Sequence, residues 1–132
     1  MKHKKLYLVV SFIIVVALFV AGCSSGKSII STSVGEMTVK RAVILDEFAG
    51  QSAKTGYKML FIYFEPKDGE PKSGFFGASN NVILTSSDGS SAEKFTGGIE
   101  SRENFLGFVI PEGATGLMLN WPGNKPIPIK IN

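Results

Sequence analysis

The 132-residue chain has almost none of the two side chains that most often do chemistry at neutral pH. It contains one cysteine, Cys23, and one histidine, His3, so neither type occurs after position 23. Residues 24–132 therefore contain no histidine-assisted or cysteine nucleophile, and no zinc, copper or haem site of the usual ligand types. A single cysteine also excludes an intrachain disulfide. We expect no catalytic residue, no metal ligand and no cofactor in this part of the chain.

The bulk of the chain also lacks an excess of charge of either sign. Three of the 14 basic residues and none of the 11 acidic residues lie in residues 1–22, so residues 23–132 carry 11 of each. A neutral body of this kind argues against nucleic acid as a partner. Its length is enough for one domain with one core and too short for two.

The first 23 residues have the pattern of an export signal. Three lysines precede an apolar run over residues 6–21, which is short of the ~20 residues that cross a bilayer comfortably. A basic start, an apolar run and a small-residue site define such a signal. The ending Val20-Ala21-Gly22-Cys23 resembles a bacterial lipobox. That resemblance implies a cleaved signal peptide over residues 1–22 and a diacylglyceryl group on Cys23. An uncut signal anchor, or a plain secretory signal with an incidental cysteine, is the alternative.

The lipobox resemblance implies an extracytoplasmic protein that is anchored to a bilayer by lipid. Two acyl chains anchor stably, where a single chain exchanges. The membrane would be the cell membrane of a Gram-positive bacterium or the outer membrane of a Gram-negative one. Residues 23–33 are rich in serine with one charge. We interpret them as the lipidated cysteine and a flexible tether, followed by a folded domain over residues 34–132.

Strand patterns dominate from residue 34 onward. Residues 57–64 are nearly continuous in apolar side chains and predict a central strand covered on both faces. The Asp88-Gly89 step predicts a hairpin that leads into a strand over residues 92–95. Residues 127–131 alternate isoleucine with proline or lysine, so they predict an edge strand with its three isoleucines in the core. We expect about seven antiparallel strands in a β-sandwich.

The first of these strands has one exception to its alternation. Met37, Val39, Val43 and Leu45 are expected on a single inward face, and Arg41 falls on that same face. We expect the Arg41 side chain to reach the rim of the domain with its stem packed.

The order of these pieces resembles the telokin-like, immunoglobulin-fold domain of bacterial secreted lipoproteins, a family of unknown function. The matching pieces are a strand that opens at Val34-Gly35, a central hairpin over residues 82–89, and a late strand and turn over residues 107–114. The likeness covers roughly residues 34–131 and implies an immunoglobulin-like sandwich. It departs at residues 65–69, where that family usually has an asparagine-containing turn. The resemblance implies no catalytic residues.

Candidate recognition residues lie in the long segment between two predicted strands, at Gly74-Phe75-Phe76-Gly77. Segments of this length are often functional, and adjacent aromatics flanked by glycines can present an exposed anchor for a partner. The interpretation that the composition favours is that one or both rings fold back as a plug over the open end of the domain. Trp121 has the same two interpretations, with packing favoured over ligand contact.

One further motif matches the residue spacing of a catalytic site but lacks the structural context that such a site needs. Ser91 and Lys94 have the S-x-x-K spacing of penicillin-interacting enzymes, but Ser91 follows a hairpin turn instead of opening a helix. We therefore expect a non-catalytic binding or structural module of the cell envelope, with an envelope protein or a glycan as its partner. The alternatives are an immunity, inhibitor or superinfection-exclusion lipoprotein, and a histidine-free hydrolase that uses carboxylates.

Overall fold

A computed structural model describes residues 28–132 of the chain, and the predictions of a signal peptide and of lipid on Cys23 lie outside the described residues. The described elements are β1 (Ile29–Thr32), β2 (Gly35–Leu45), β3 (Tyr57–Pro66), α1 (Phe75–Ala78), β4 (Ile83–Thr85), β5 (Ser91–Glu100), β6 (Glu103–Pro111), β7 (Met118–Asn120) and β8 (Ile127–Pro128). All paired strands are antiparallel, in the order β1-β2-β3-β6-β5-β4-β7-β8. The expected antiparallel all-β class is confirmed. None of the helical structure in this range is long and apolar enough to cross a membrane.

The sheet curls until β1 and β2 meet the segments that flank β8. Asn124 accepts a hydrogen bond from the Ser31 N–H at 2.9 Å and donates one to the Ser31 carbonyl at 3.0 Å. Farther along, the Asn132 N–H donates to the Ala42 carbonyl at 2.8 Å. We call this line of contact, formed by residues 28–32 and 121–132, the seam. Because β6 and β5 lie in the middle of the strand order, they lie across the curl from the seam.

The curl encloses the main core on its concave side, and a smaller cluster covers part of its convex side. The smaller cluster consists of Met59, Phe61, Tyr63 and Phe105, packed beneath the segment that contains Phe48. Strand β3 contributes alternate residues to both clusters and is buried from Met59 to Phe64. The prediction of a central strand covered on both faces is confirmed.

A bulge in β2 reverses the alternation on which its predicted inward face was based. The pairing with β3 shifts between Val39 and Arg41. Met37 and Val39 consequently pack in the main core, whereas Val43 and Leu45 pack against the convex cluster. The prediction of one inward face was wrong beyond the bulge, because a single extra residue exchanges the two faces of a strand.

The same bulge explains the exceptional position of Arg41. Its guanidinium lies 4.1 Å from the centre of the Tyr63 ring and donates to a Glu103 carboxylate oxygen at 2.7 Å. That hydrogen bond raises the pKa of Arg41 and lowers the pKa of Glu103. Arg41 therefore packs on the convex aromatic cluster instead of interrupting an inward apolar face.

The folded domain begins earlier than the predicted boundary at residue 34. Strand β1 pairs with the start of β2, and its Ile30 side chain is completely buried. The prediction of a flexible tether over residues 23–33 was therefore wrong from Ile29 to Thr32. A single buried isoleucine and the free edge of β2 are enough to recruit a serine-rich segment into the sheet.

The final strand confirms the predicted edge position, since β8 pairs only with β7. Ile127 and Ile129 are buried as expected, but Ile131 is 39% exposed. The prediction of Ile131 in the core was wrong because the last hydrogen bond toward β7 is from the Ile129 N–H to the Leu117 carbonyl, after which the chain crosses to Ala42.

The turn between β5 and β6 gives a prediction about stability. Ser101 and Arg102 have φ values of 50° and 66° between the paired Glu100 and Glu103. This is the type I′ geometry that Asn-Gly favours and that strains other residues. We expect Ser101→Asn combined with Arg102→Gly to raise the free energy of unfolding in urea by about 0.5–1 kcal/mol. As a control, Gly89→Ala, at a φ of 87° in the hairpin between β4 and β5, should lower the free energy of unfolding. A loss of stability in the double variant would contradict the turn geometry.

Candidate functional site

The two adjacent phenylalanines of the predicted recognition segment have opposite environments. Phe75 is completely buried, with its ring centre 5.1 Å from that of Phe64 and 5.6 Å from that of Trp121, which is also buried. The burial of Phe75 and Trp121 agrees with the packed interpretation that the sequence favoured for both, and it leaves neither ring exposed to a partner. Phe76 remains 43% exposed.

Phe76 rests on β5 because that strand offers a glycine beneath it. A Cβ atom at Gly97 would come within 2.8 Å of the Phe76 ring, so any larger residue would push the ring away. The Lys94 ammonium lies 4.1 Å from the centre of the same ring. It also donates to the Phe76 carbonyl, to the Ser79 hydroxyl and to the Asn80 side-chain oxygen. Lys94 thereby fastens α1 to β5.

Ser79 and Lys94 together have the composition of a serine–lysine catalytic pair. Burial lowers the pKa of Lys94, as a lysine acting as general base requires. Ser79, however, is completely buried, and its hydroxyl donates to the Phe76 carbonyl at 2.7 Å. A substrate cannot reach that oxygen while α1 is in place. The pair is therefore part of the fold, in which Lys94 holds α1 against β5.

Half of β5 has a free edge. Only the first three residues of β5 pair with β4, whereas the pairing of β5 with β6 continues to Glu100. Glu100 and Glu103 flank a two-residue turn and form a hydrogen-bonded pair, so the antiparallel alternation directs the N–H and C=O groups of Gly97 and Ile99 away from β6. Within residues 28–132, no backbone hydrogen bond from another segment reaches these groups.

Large exposed apolar side chains surround this free edge. Ile99 is 47% exposed and Phe95 is 44% exposed. Gly97 faces Phe76 and Leu106, so strand alternation places Ile99 on the same concave side, whereas Gly107 faces Phe61 and Phe95 on the convex side. The Phe95 ring packs edge-on against Phe61, with ring centres 5.9 Å apart. We call residues 95–100 together with Phe76 the β5 edge site. It combines unpaired backbone groups with apolar contacts on both faces.

An apolar groove extends the site along the convex face. It has a volume of about 440 Å³ and runs between Phe95, Val109, Met59 and the segment that contains Phe48. Phe95 contributes to both the groove and the β5 edge site. A partner that pairs with β5 can therefore continue onto this groove.

Sequence reasoning missed most of this site because its strand was predicted to end at residue 95. The remaining residues of β5, Thr-Gly-Gly-Ile-Glu, have a low strand propensity overall. Their pairing comes from the hairpin with β6. The signal that was present is the pair Gly97-Gly98 between Phe95 and Ile99, since glycine within a strand marks the close approach of another group. Here the approaching group is the Phe76 ring.

In residues 28–132, no three side chains of the His, Cys, Asp and Glu types come together. Comparisons with protein-family models, with curated proteins and with solved structures found no match. The free edge of β5 is accordingly interpreted from its own geometry.

Proposed function

We propose that this protein is a lipid-anchored, extracytoplasmic binding module without enzymatic activity, which captures an extended segment of an envelope protein at the β5 edge site. The observation that carries the proposal is the unpaired backbone of Gly97 and Ile99 between exposed apolar side chains. Strand addition at such an edge obtains affinity from main-chain hydrogen bonds and specificity from alternate side chains.

The geometry of the edge defines the chemistry of the captured segment. Six residues of strand span about 20 Å, which suits an extended peptide better than a stable pairing of two copies. One face of the segment would carry apolar side chains toward Phe76 and Ile99, and the other face would carry them toward Phe95. Such a segment needs no net charge, because the ammonium of Lys94 is already occupied by α1.

The remaining parts of the proposal rest on the sequence. The lipobox resemblance supports the anchor on Cys23 and a location at the surface of a bacterial membrane. The burial of Ser79, and the absence of histidine and cysteine after position 23, support a role without catalysis. We also propose a relationship to telokin-like immunoglobulin domains. It is supported by the antiparallel hairpins and by the two halves of the curled sheet, which share one core.

The test uses a proline that removes a single outward backbone donor. Membrane extracts are passed over the immobilised wild-type chain and over the Ile99→Pro and Ile99→Val variants. Ile99→Pro deletes an N–H that makes no bond to β6, so we expect a folded variant that retains at least about tenfold less of one specific protein. Ile99→Val keeps the N–H, so this variant should retain that protein as well as the wild type does. In the captured complex, hydrogen exchange should slow at Gly97 and Ile99.

Two outcomes would contradict strand addition at β5. One is equal retention of that protein by Ile99→Pro and by the wild type. The other is unchanged hydrogen exchange at Gly97 and Ile99 in the complex. Circular dichroism and the melting temperature check that Ile99→Pro folds. If it does not, Phe76→Ala gives the same test through the apolar contact, since Phe76 is half exposed and its loss leaves the backbone unchanged.

A further inference from the structure

The seam contains the first described residue and is therefore the part of the folded domain nearest in sequence to the proposed lipid. Five residue steps separate Cys23 from Ser28, the first described residue, and a fully extended chain of that length reaches at most about 18 Å. Ser28 lies beside the turn that contains Asn124 and Lys125. A lipid on Cys23 would therefore hold this face of the domain within a short distance of the bilayer.

The seam carries the most exposed large apolar side chain of residues 28–132. Ile29 is 59% exposed, and Ile131 is also exposed. Ile29 pairs with Thr38, and the residue after Ile131 binds Ala42, so both isoleucines lie along one edge of β2. The two positions are roughly 10–13 Å apart along that edge.

The two segments that form the seam carry charged side chains of one sign only. Ile29 and Lys125 line the same hollow, with a volume of about 450 Å³. The segments that form the seam, residues 28–32 and 121–132, contain Lys125 and Lys130 and no acidic residue. On the neighbouring strand, Glu36 is paired with Lys67 at 3.2 Å. Lysines beside exposed isoleucines complement an anionic lipid surface, in which phosphates lie next to apolar chains.

We propose that the seam rests on the surface of an anionic bilayer, with Ile29 and Ile131 in the headgroup region and Lys125 and Lys130 bound to lipid phosphates. This inference rests on the proposed lipid anchor, because isolated contacts of this size bind bilayers only weakly. This orientation determines which way the β5 edge site points, because β5 lies across the curl from the seam. The β5 edge site is then turned away from the bilayer, where an extended segment can reach it.

The experiment measures the reactivity of individual lysines in the full lipidated protein. The protein is placed in vesicles rich in phosphatidylglycerol, in vesicles of phosphatidylcholine alone, and in detergent, and is then acetylated and analysed by mass spectrometry. We expect Lys125 and Lys130 to react at least about threefold more slowly in the anionic vesicles than in the other two, and high salt to remove the difference. Lys54, on the loop between β2 and β3, serves as the internal control and should react equally in all three.

A matched pair of variants tests the apolar contribution. Replacing Ile29 and Ile131 by serine should reduce the protection of both lysines, whereas Ile83→Ser, at an exposed position on β4, should not change it. Equal reactivity of Lys125, Lys130 and Lys54 in a protein that carries the lipid would overturn the inference and leave the anchor intact. A mature chain without lipid on Cys23 would overturn both, and the test of the β5 edge site would be unaffected.

Discussion

Replacing Phe75 by alanine is expected to lower the free energy of unfolding by about 3–5 kcal/mol, whereas the same change at Phe76 should lower it by less than about 1 kcal/mol. Phe75 is completely buried between Phe64 and Trp121, so its loss leaves a cavity in the main core. Phe76 is half exposed and loses only its contacts with Gly97 and Lys94. Urea unfolding followed by circular dichroism measures both values.

The neighbouring position is the control for the Phe75 variant, because both residues lie in α1 and share its backbone. A small domain is stable by only about 5–15 kcal/mol, so Phe75→Ala can leave too little folded protein to titrate. Phe75→Leu then provides a measurable intermediate loss of about 1–2 kcal/mol. Similar losses at the two positions would show that α1 does not insert Phe75 into the core. Phe76→Ala should also reduce capture at the β5 edge site, which separates binding from stability within two residues.

The regular parts of the sheet could be predicted because their signals are local. The continuous apolar run of β3, the Asp88-Gly89 hairpin and the prolines around β8 each report a constraint on their own strand. Burial on both faces, a left-handed turn residue and missing ladder donors are properties that a few neighbouring residues determine. These elements appear in the structure where the sequence placed them.

The errors arose where a distant strand decides the local structure. The bulge between Val39 and Arg41 depends on how β2 pairs with β3, and the one sign of it in the sequence is the charged Arg41 on an otherwise apolar face. Strand β1 forms because β2 has a free edge that a serine-rich segment can occupy. The turn at Ser101 and Arg102 has neither the asparagine nor the glycine that a type I′ turn favours, and the hairpin imposes its positive φ angles.

The candidate site could also be predicted only where the signal was local, and not where it depends on contacts between distant segments. Two adjacent aromatics in a glycine-flanked segment indicated that at least one ring packs inward, and the burial of Phe75 agrees with that interpretation. Which ring would remain outside depends on the position of Gly97 beneath Phe76, a contact between residues 21 positions apart. The free edge of β5 depends on the early end of its pairing with β4. The pair Gly97-Gly98 marks the close approach of some group, but no residue of β5 identifies that group as Phe76 or marks where the pairing with β4 ends.

Asn104 is the residue through which β6 positions the segment that leads into α1. It is completely buried, accepts a hydrogen bond from the Lys72 N–H at 2.9 Å and donates one to the Lys72 carbonyl at 3.0 Å. The Lys72 carbonyl also accepts the Phe75 N–H at 3.2 Å. The Asn104 side chain therefore replaces a missing strand and holds the segment from which Phe75 enters the core.

We expect Asn104→Leu to lower the free energy of unfolding by about 2–4 kcal/mol at any pH, because the Lys72 backbone groups lose their partner.

Asn104→Asp should lower the free energy of unfolding by a similar amount at pH 7, and part of that stability should return near pH 4. Its buried carboxylate would face the Lys72 carbonyl, which raises its folded-state pKa above the unfolded value of about 3.9. The folded state then binds the proton more tightly, so stability relative to wild type increases as the pH falls. The wild-type reference is needed at each pH, because the lowered pKa values of Asp88 and Glu103 make the wild type itself less stable in acid. Urea unfolding of the three proteins at pH 7 and pH 4 measures these differences, and a pH-independent loss in Asn104→Asp would contradict the two hydrogen bonds assigned to this side chain.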